Sequence, residues 1–175
     1  MKDYKPSPLA RVTVESTEDT PILVFVRHFR HPVEAVWSAI TKPEQLNEWA
    51  PFTADRDLAA PGEATLTMID GDLREEMKGT VTVVEPPTRL EYTWGTDVLR
   101  WHLEATDEGT RMTLRHTVQS REWLSKVAAG WHICLDVAQV LLDGQPIGPI
   151  RGREALEYGW TELDEAYQAA LTQTA

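Results

Sequence analysis

Two residues in this sequence carry side chains that could do acid–base chemistry in a sheltered place. Glu75 and His116 both fall on the predicted inner side of β-strands. Burial raises the pKa of a carboxyl group and lowers that of an imidazole, which is how general acids and bases are tuned. The alternative is that Glu75 lies in water at the rim of a sheet and His116 is a core histidine bonded to the backbone. The sequence favours this alternative, so the catalytic residues stay unknown, with Glu75 and His116 as candidates.

Large aromatic side chains point to a second kind of chemistry, the binding of an apolar molecule. The chain has seven tryptophans, and large aromatics are costly to leave exposed, so they fill a core or line a pocket. Trp49 is equally compatible with a lid over a cavity and with plain packing. An apolar cavity with a few polar tips is typical of a small-molecule site. We predict these ligand-binding residues: Trp49, Met77, Tyr92, Trp94, Trp101, His116 and Trp131.

The spacing of residues in the sequence does not indicate a metal site or a cofactor site. His28 and His31 form an H-x-x-H pattern, but on a strand that ends at a proline they do not share a face, and no acidic or cysteine cluster completes a ligand set. The glycine-rich, P-loop, H-E-x-x-H and G-x-S-x-G motifs are missing from the sequence. We predict no metal site and no cofactor.

A long helix predicted over residues 121–144 organises the chain. Apolar residues recur along it with the spacing of a helix that buries one face. Cys134, the single cysteine, lies on that face, and we interpret it as a small buried apolar residue. His132 and Asp136 lie four residues apart beside the apolar stripe. They form either a half-exposed ion pair or a polar lip on a cavity.

Short strands with alternating apolar residues precede this helix. We predict a strand at 21–30, helices at 32–41 and 43–50, strands at 52–58, 63–69, 73–84, 89–94, 98–106 and 110–119, and a last helix at 160–173. Short connections between strands predict antiparallel neighbours. The expected pairs are Leu103 with Leu114, Trp101 with His116, Val83 with Leu90, Val81 with Tyr92, and Gly79 with Trp94, whose indole the glycine would accommodate.

Three stretches of the sequence resemble a known family. They are RHFRHPVEAVWSAITKPEQLNEW, VTVVEPPTRLEYTW and GWHICLDVAQVLLDG, in that order. The sequence resembles the Activator of Hsp90 ATPase homologue 1-like (AHSA1-like) branch of the SRPBCC, or START-like and Bet v 1-like, superfamily over about residues 20–144. This resemblance implies an α+β helix-grip fold, in which a curved antiparallel sheet wraps around a long C-terminal helix and leaves a deep cavity between them.

The chain divides into three parts on this interpretation. Residues 1–19 are polar and form a flexible N-terminal arm. Residues 20–144 form the helix-grip domain, with two short helices after the first strand. Residues 145–175 form a loop and an extra C-terminal helix, which we expect to pack on the same domain.

Charge and composition narrow the classes of partner. A net charge of −11 argues against a nucleic acid or an anionic membrane surface, since both require a basic patch. No run of about 18 apolar residues could span a membrane, and the first residues show no secretory signal. The single cysteine fits a reducing compartment, so we expect a cytoplasmic protein.

Three functions are compatible with these features. The first is binding of a small hydrophobic molecule in a cavity between the sheet and the long helix. The second is a cyclase- or hydrolase-type enzyme that uses cavity acid–base residues; the sequence does not decide whether the protein is an enzyme. The third is a module that binds an Hsp90-type chaperone or another protein. A homodimer is also allowed.

Overall fold

The protein is built on one curved antiparallel β-sheet, seen in a computed structural model that describes residues 2–17 and 20–174. Within those residues, the sheet has eight strands: β1 Arg11–Thr17, β2 Thr20–Phe29, β3 Phe52–Ala54, β4 Gly62–Asp70, β5 Leu73–Glu85, β6 Arg89–Trp94, β7 Asp97–Thr106 and β8 Gly109–Thr117. Their order is β1-β2-β8-β7-β6-β5-β4-β3, so β2 and β8 are neighbours although they are far apart in the chain.

Four α-helices accompany this sheet in the described residues. Helices α1 Val33–Thr41 and α2 Pro43–Trp49 follow β2, α3 Leu124–Leu142 follows β8, and α4 Trp160–Thr174 ends the chain. Short 3₁₀ segments at Arg121–Trp123 and Gly152–Tyr158 precede α3 and α4. Pro43 occupies the first turn of α2, where the missing N–H has no cost.

Helix α3 lies at the centre of the fold. Twelve of its 19 residues are buried, and residues 131–138 are buried without a break. A helix that packs against the protein on a single side would instead have one buried stripe. The sheet covers one side of α3, while α4 and the N-terminal segment cover the other. The predicted α+β helix-grip fold is thereby confirmed, with two short helices early in the chain and an extra helix at its end.

The predicted strand faces are correct, but both pairs predicted between β7 and β8 are wrong by two residues. Leu103 pairs with Met112 and not with Leu114. Trp101 pairs with Leu114, and Leu99 takes the place opposite His116 that was expected for Trp101. The reason is the turn: Thr106 pairs with Gly109, so only two residues connect β7 to β8. A shift of two residues keeps every side chain on its face and changes only its partner.

A bulge in β5 changes a second set of pairs. Val81 faces Tyr92 as predicted, but after the bulge Val84, and not Val83, faces Leu90. Gly79 is required by the backbone, because a Cβ there would overlap the Thr93 carbonyl oxygen. Its predicted role of making room for the Trp94 indole is corrected accordingly.

The predicted flexible arm is corrected for residues 11–17. They form β1 and pair along their whole length with β2, which explains the alternation of Val12 and Val14. Val12 is buried. The strand is short and lies at the sheet edge, so its pattern was too brief to stand out. Met1, Glu18 and Asp19 of the predicted arm lie outside the described residues.

A buried polar network attaches α3 to the strands and to the N-terminal segment. The Asp136 carboxylate accepts hydrogen bonds from Tyr4 Oη (2.7 Å), Ser7 Oγ (2.5 Å) and Arg27 Nη1 (2.6 Å). His132 Nε2 donates to the Ser7 carbonyl oxygen (3.0 Å). His132 and Asp136 are therefore neither a half-exposed ion pair nor a cavity lip. Both are almost fully buried, and they form hydrogen bonds with polar groups of the N-terminal segment.

This network controls the protonation of Asp136. Burial by itself raises the pKa of the carboxyl, but hydrogen bonding to His132, the positive charge of Arg27 and the hydrogen bonds from Ser7 outweigh it and hold the pKa well below its usual range. A folded-state pKa below the unfolded one stabilises the protein above the unfolded value, which is about 3.9 for aspartate. That stabilisation is lost as the pH falls from there toward the folded value.

Replacement of this carboxylate is expected to be costly at neutral pH. In Asp136→Asn, Arg27 loses its buried counter-ion, so we expect the free energy of unfolding at pH 7 to fall by about 3–5 kcal/mol. The difference from wild type should shrink progressively below about pH 4. Urea unfolding followed by circular dichroism over this pH range measures both effects.

Asp143→Asn is the matched control for this experiment. Asp143 also binds a histidine, His31, but is 48% exposed, so its loss should cost less than about 1 kcal/mol. Equal destabilisation by the two variants, or a penalty for Asp136→Asn that does not change with pH, would contradict the role given to the network.

Candidate functional site

An open cavity of about 570 Å³ lies beside the N-terminal half of α3. The inner face of the sheet forms one wall, α3 the second, and residues 150–160 the third. The volume lies within the range of small-molecule sites. The lining residues are Pro51, Met68, Asp70, Trp94, His116, Trp123, Val127, Gly130, Trp131, Ile133, Cys134, Ile150, Arg151, Gly152, Arg153, Ala155, Leu156 and Trp160.

Two anchors hold the third wall in place. At the first, the Asp70 carboxylate at the end of β4 accepts the backbone N–H of Arg153 at 3.1 Å. Gly152 has a φ of 56° and lies so close to Asp70 that any Cβ would overlap it. At the second, Arg151 donates from Nε to the Ala50 carbonyl oxygen (2.7 Å) and from Nη2 to that of Asn47 (3.0 Å). The wall is therefore fixed to β4 and to the end of α2.

Four of the seven tryptophans line the cavity: Trp94, Trp123, Trp131 and Trp160. The rings of Trp94 and Trp131 lie 6.3 Å apart at 65°. Trp123 and Leu156 are 49% and 54% exposed, so they mark the opening. The Trp94 Nε1–H is buried and has no hydrogen-bond partner among the described residues. An unpaired buried donor costs about 1–3 kcal/mol, which is unusual in a plain core.

His116 is held between two partners. The Trp131 indole Nε1–H donates to His116 Nδ1 at 2.9 Å. Because Nδ1 is an acceptor, the imidazole hydrogen is on Nε2, which lies 2.8 Å from the Asp97 carboxylate and donates to it. Both ring nitrogens are occupied, and the side chain is 2% exposed. In this arrangement the ring orients Trp131 and presents no free nitrogen to a substrate.

The predicted Glu75–His116 pair does not form. Glu75 is exposed on β5 opposite Met68 and is not part of the cavity wall. Its placement on the buried inner face is corrected: residues 71–76 are all exposed, because this end of the hairpin extends past the helices that cover the sheet. The partner of His116 is Asp97, which the sequence analysis missed since it depends on the register of β7 and β8.

Three of the predicted ligand-binding residues lie in a packed layer behind Trp131. The Trp101 indole donates to the Tyr92 hydroxyl at 3.1 Å, and the Trp49 indole donates to the Ala39 carbonyl oxygen at 2.9 Å. All three rings are buried, and Trp101 meets Trp131 edge to face at 5.4 Å. They support the cavity wall without forming part of it.

Met77 is also outside the cavity wall. It is partly buried and lies against Gly95. Of the predicted set, the structure brings Trp94, His116 and Trp131 together at the cavity. The third wall, with Arg151, was missed. Its only signal in the sequence was a pair of isoleucines, Ile147 and Ile150, within a loop rich in glycine and proline.

The remaining titratable groups at the cavity differ in their state. Burial raises the pKa of the Cys134 thiol to about 12, so the thiol is neutral and unreactive at physiological pH. Arg151 has a pKa lowered by burial but remains charged, as arginine does in proteins. Away from the cavity, His31 binds Asp143 at 2.7 Å. Among the described residues, no cluster of three or more His, Cys, Asp or Glu side chains could hold a metal.

A curved antiparallel sheet closed around a long helix defines a helix-grip protein of the Bet v 1-like superfamily. Residues 30–143 match the model of the Activator of Hsp90 ATPase homolog 1-like protein family, and the chain belongs to this family. Such a fold is commonly a ligand-binding or Hsp90-associated module. The comparison with curated proteins gave no significant match. In the described part of the chain, no helix is long and apolar enough to cross a membrane.

Solved structures share the fold at low sequence identity. CalU16 from Micromonospora echinospora, solved by NMR in solution, aligns with a TM-score of 0.70 at 20% identity over 99% of this chain and 100% of its own. A conserved protein of unknown function from Enterococcus faecalis, EF2215, gives 0.69 at 17% identity over 94% and 92%. An AHSA1-like protein from Aeromonas hydrophila gives 0.59 at 23% identity over 70% and 94%.

Two glycines of the cavity wall should respond in opposite ways to alanine. Gly130 lies within α3, where a Cβ would meet no atom within 4 Å, so Gly130→Ala should raise the free energy of unfolding by about 0.8–1 kcal/mol through helix propensity. Gly152→Ala should lower it by about 1–2 kcal/mol, because alanine is strained at positive φ. Urea unfolding of both variants tests the wall geometry. Effects of the same sign would contradict it.

Proposed function

We propose that this protein binds a small hydrophobic molecule in the cavity beside α3. The observation that carries the proposal is an open space of about 570 Å³ with four tryptophans in its walls. The lining distinguishes this space from an ordinary surface depression, because large aromatic side chains are costly to leave uncovered and mark binding sites where they surround an opening.

Gly130 supports the proposal independently. A glycine inside a helix costs about 1 kcal/mol relative to alanine, and here no neighbouring atom lies within 4 Å to exclude a side chain. Packing therefore gives no reason for the glycine. Its position in the cavity wall does, because a bulky side chain there would occupy the space meant for the ligand.

The walls can supply useful affinity without special chemistry. An aromatic body that buries roughly 200 Å² of apolar surface gains about 5 kcal/mol at 25 cal/mol per Å². This gain corresponds to a dissociation constant on the order of 0.1 mM. Contacts to polar groups would then add affinity and orientation. We do not extend the proposal to a cyclase or hydrolase activity, because Glu75 is exposed and both nitrogens of His116 are engaged.

Tryptophan fluorescence tests the proposal with phenylbutyramide, a neutral apolar probe. We expect a saturable change in emission for the wild type, since four of the indoles lie around the cavity. Gly130→Phe should abolish the response by placing a phenyl ring in the space, whereas Gly130→Ala should retain it. The two variants differ only in how far they fill the cavity. A flat wild-type response, or an equal response from Gly130→Phe, would contradict the proposal.

Association with an Hsp90-type chaperone is a second candidate, supported by family membership. The exposed Trp123 and Leu156 offer an apolar contact surface at the cavity opening. Binding to a purified bacterial Hsp90, measured by calorimetry, should then be weakened by Trp123→Ser. No measurable heat with wild type would end this candidate and leave ligand binding untouched.

A further inference from the structure

Arg151 is an unusual residue to find in the wall of an apolar cavity. Its guanidinium is partly buried and donates two hydrogen bonds, both to backbone carbonyl oxygens at the end of α2. Arginine carries five N–H donors in a planar fork. Three of the five, two of them on Nη1, therefore make no hydrogen bond to the described residues.

Arg56 shows what a purely structural arginine looks like in this protein. Its guanidinium donates four hydrogen bonds to carbonyl oxygens of one short segment, the loop before β4 and the start of that strand: Asp57, Ala60, Gly62 and Glu63. Both arginines fix a loop through its backbone, but Arg56 uses four of its five donors for that purpose. Arg151 needs only two, and most of its fork remains available.

The charges around Arg151 do not neutralise it. No carboxylate of the described residues lies within 4.0 Å of its guanidinium, although the chain carries a net charge of −11. Asp70, which lines the same cavity from the end of β4, binds Arg153. Glu48 and Arg74 act on Arg151 from a distance with opposite effects. Because the Cys134 thiol is neutral at physiological pH, the positive charge of Arg151 has no neighbouring anion in the cavity wall.

We propose that the cavity binds a monoanionic amphipathic carboxylate, whose carboxylate pairs with Arg151 and whose apolar body lies among Trp94, Trp131 and Trp160. This inference rests on the proposed function and names the class of its ligand. A planar carboxylate matches the open fork of the guanidinium. A single uncompensated cation among apolar walls balances one negative charge, so a phosphate dianion would leave charge unpaired in a place where that is costly.

Two probes with the same body separate charge recognition from apolar binding. Phenylbutyrate carries the carboxylate, and phenylbutyramide replaces it with a neutral amide of nearly equal size. By isothermal titration calorimetry at pH 7, we expect wild type to bind the acid about tenfold or more tightly than the amide, the effect of a charge-assisted hydrogen bond. Raising the salt concentration should narrow the difference.

Variants at the two arginines identify the group responsible. In Arg151→Met the preference for the acid should disappear while amide binding persists, and Arg151→Lys should retain part of the preference. Arg56→Met is the matched control, since it removes a guanidinium that also holds backbone carbonyls but lies outside the cavity wall. It should keep the full acid-to-amide ratio.

The results separate this inference from the proposed function. Equal binding of acid and amide by wild type, abolished for both by Gly130→Phe, would overturn the carboxylate preference and leave cavity binding in place. Loss of both probes in Arg151→Met and in Arg151→Lys would mean that Arg151 only holds the wall, which also overturns the inference. A wild type that binds neither probe would contradict the proposed function itself.

Discussion

A helix that is buried over most of its length must pair each of its buried polar groups, and α3 is such a helix, with twelve of its 19 residues buried. Its face away from the sheet carries Ser125, His132 and Asp136, which would be poor neighbours for an apolar core. Each finds its partner in a segment outside the family match: Ser7 from the N-terminal arm binds Asp136, and Asp164 of α4 binds Ser125. The N-terminal segment and α4 therefore cover the polar face of α3, which would otherwise be exposed to solvent. The network also sets the position of α3 relative to β2, on which the cavity depends.

The cavity arises where this coverage stops. Toward the start of α3, residues 150–160 lie at a distance from the helix and form the third wall of the cavity. This wall is held by its hydrogen bonds to Asp70 and to the end of α2. Gly130 leaves the facing surface of the helix bare. The aromatic layer of Trp49, Tyr92 and Trp101 supports Trp131 from behind, while His116 fixes its indole. Rigid walls of this kind lower the cost of binding, because little has to be ordered when a ligand enters.

Periodicity in the sequence was enough to predict α3 and the strand faces, since the apolar spacing of α3 and the alternation of the strands are local signals. The resemblance to a known family then predicted the helix-grip fold. The cross-strand partners were harder to predict. A turn centred one residue earlier in the chain changes the partner of every residue by two positions, and the alternation of apolar and polar residues stays the same. For that reason Asp97 was missed beside a correctly chosen His116. Glu75 has the correct parity but lies past the end of the helical cover, a property of the whole fold. Arg151 lies in a segment without any period, and only the path of that segment brings it to the cavity.

The most direct test of the cavity is an NMR titration that follows the indole N–H signals of the seven tryptophans as phenylbutyrate is added. The signals of Trp94, Trp123, Trp131 and Trp160 should show the largest shifts, because these indoles line the cavity. Trp37, which lies in α1 outside the cavity wall, should stay unchanged, and Trp49 and Trp101 should move little. If Trp49 and Trp101 shifted most while the four cavity indoles stayed still, the ligand would lie inside the packed layer, and the cavity beside α3 would not be the binding site.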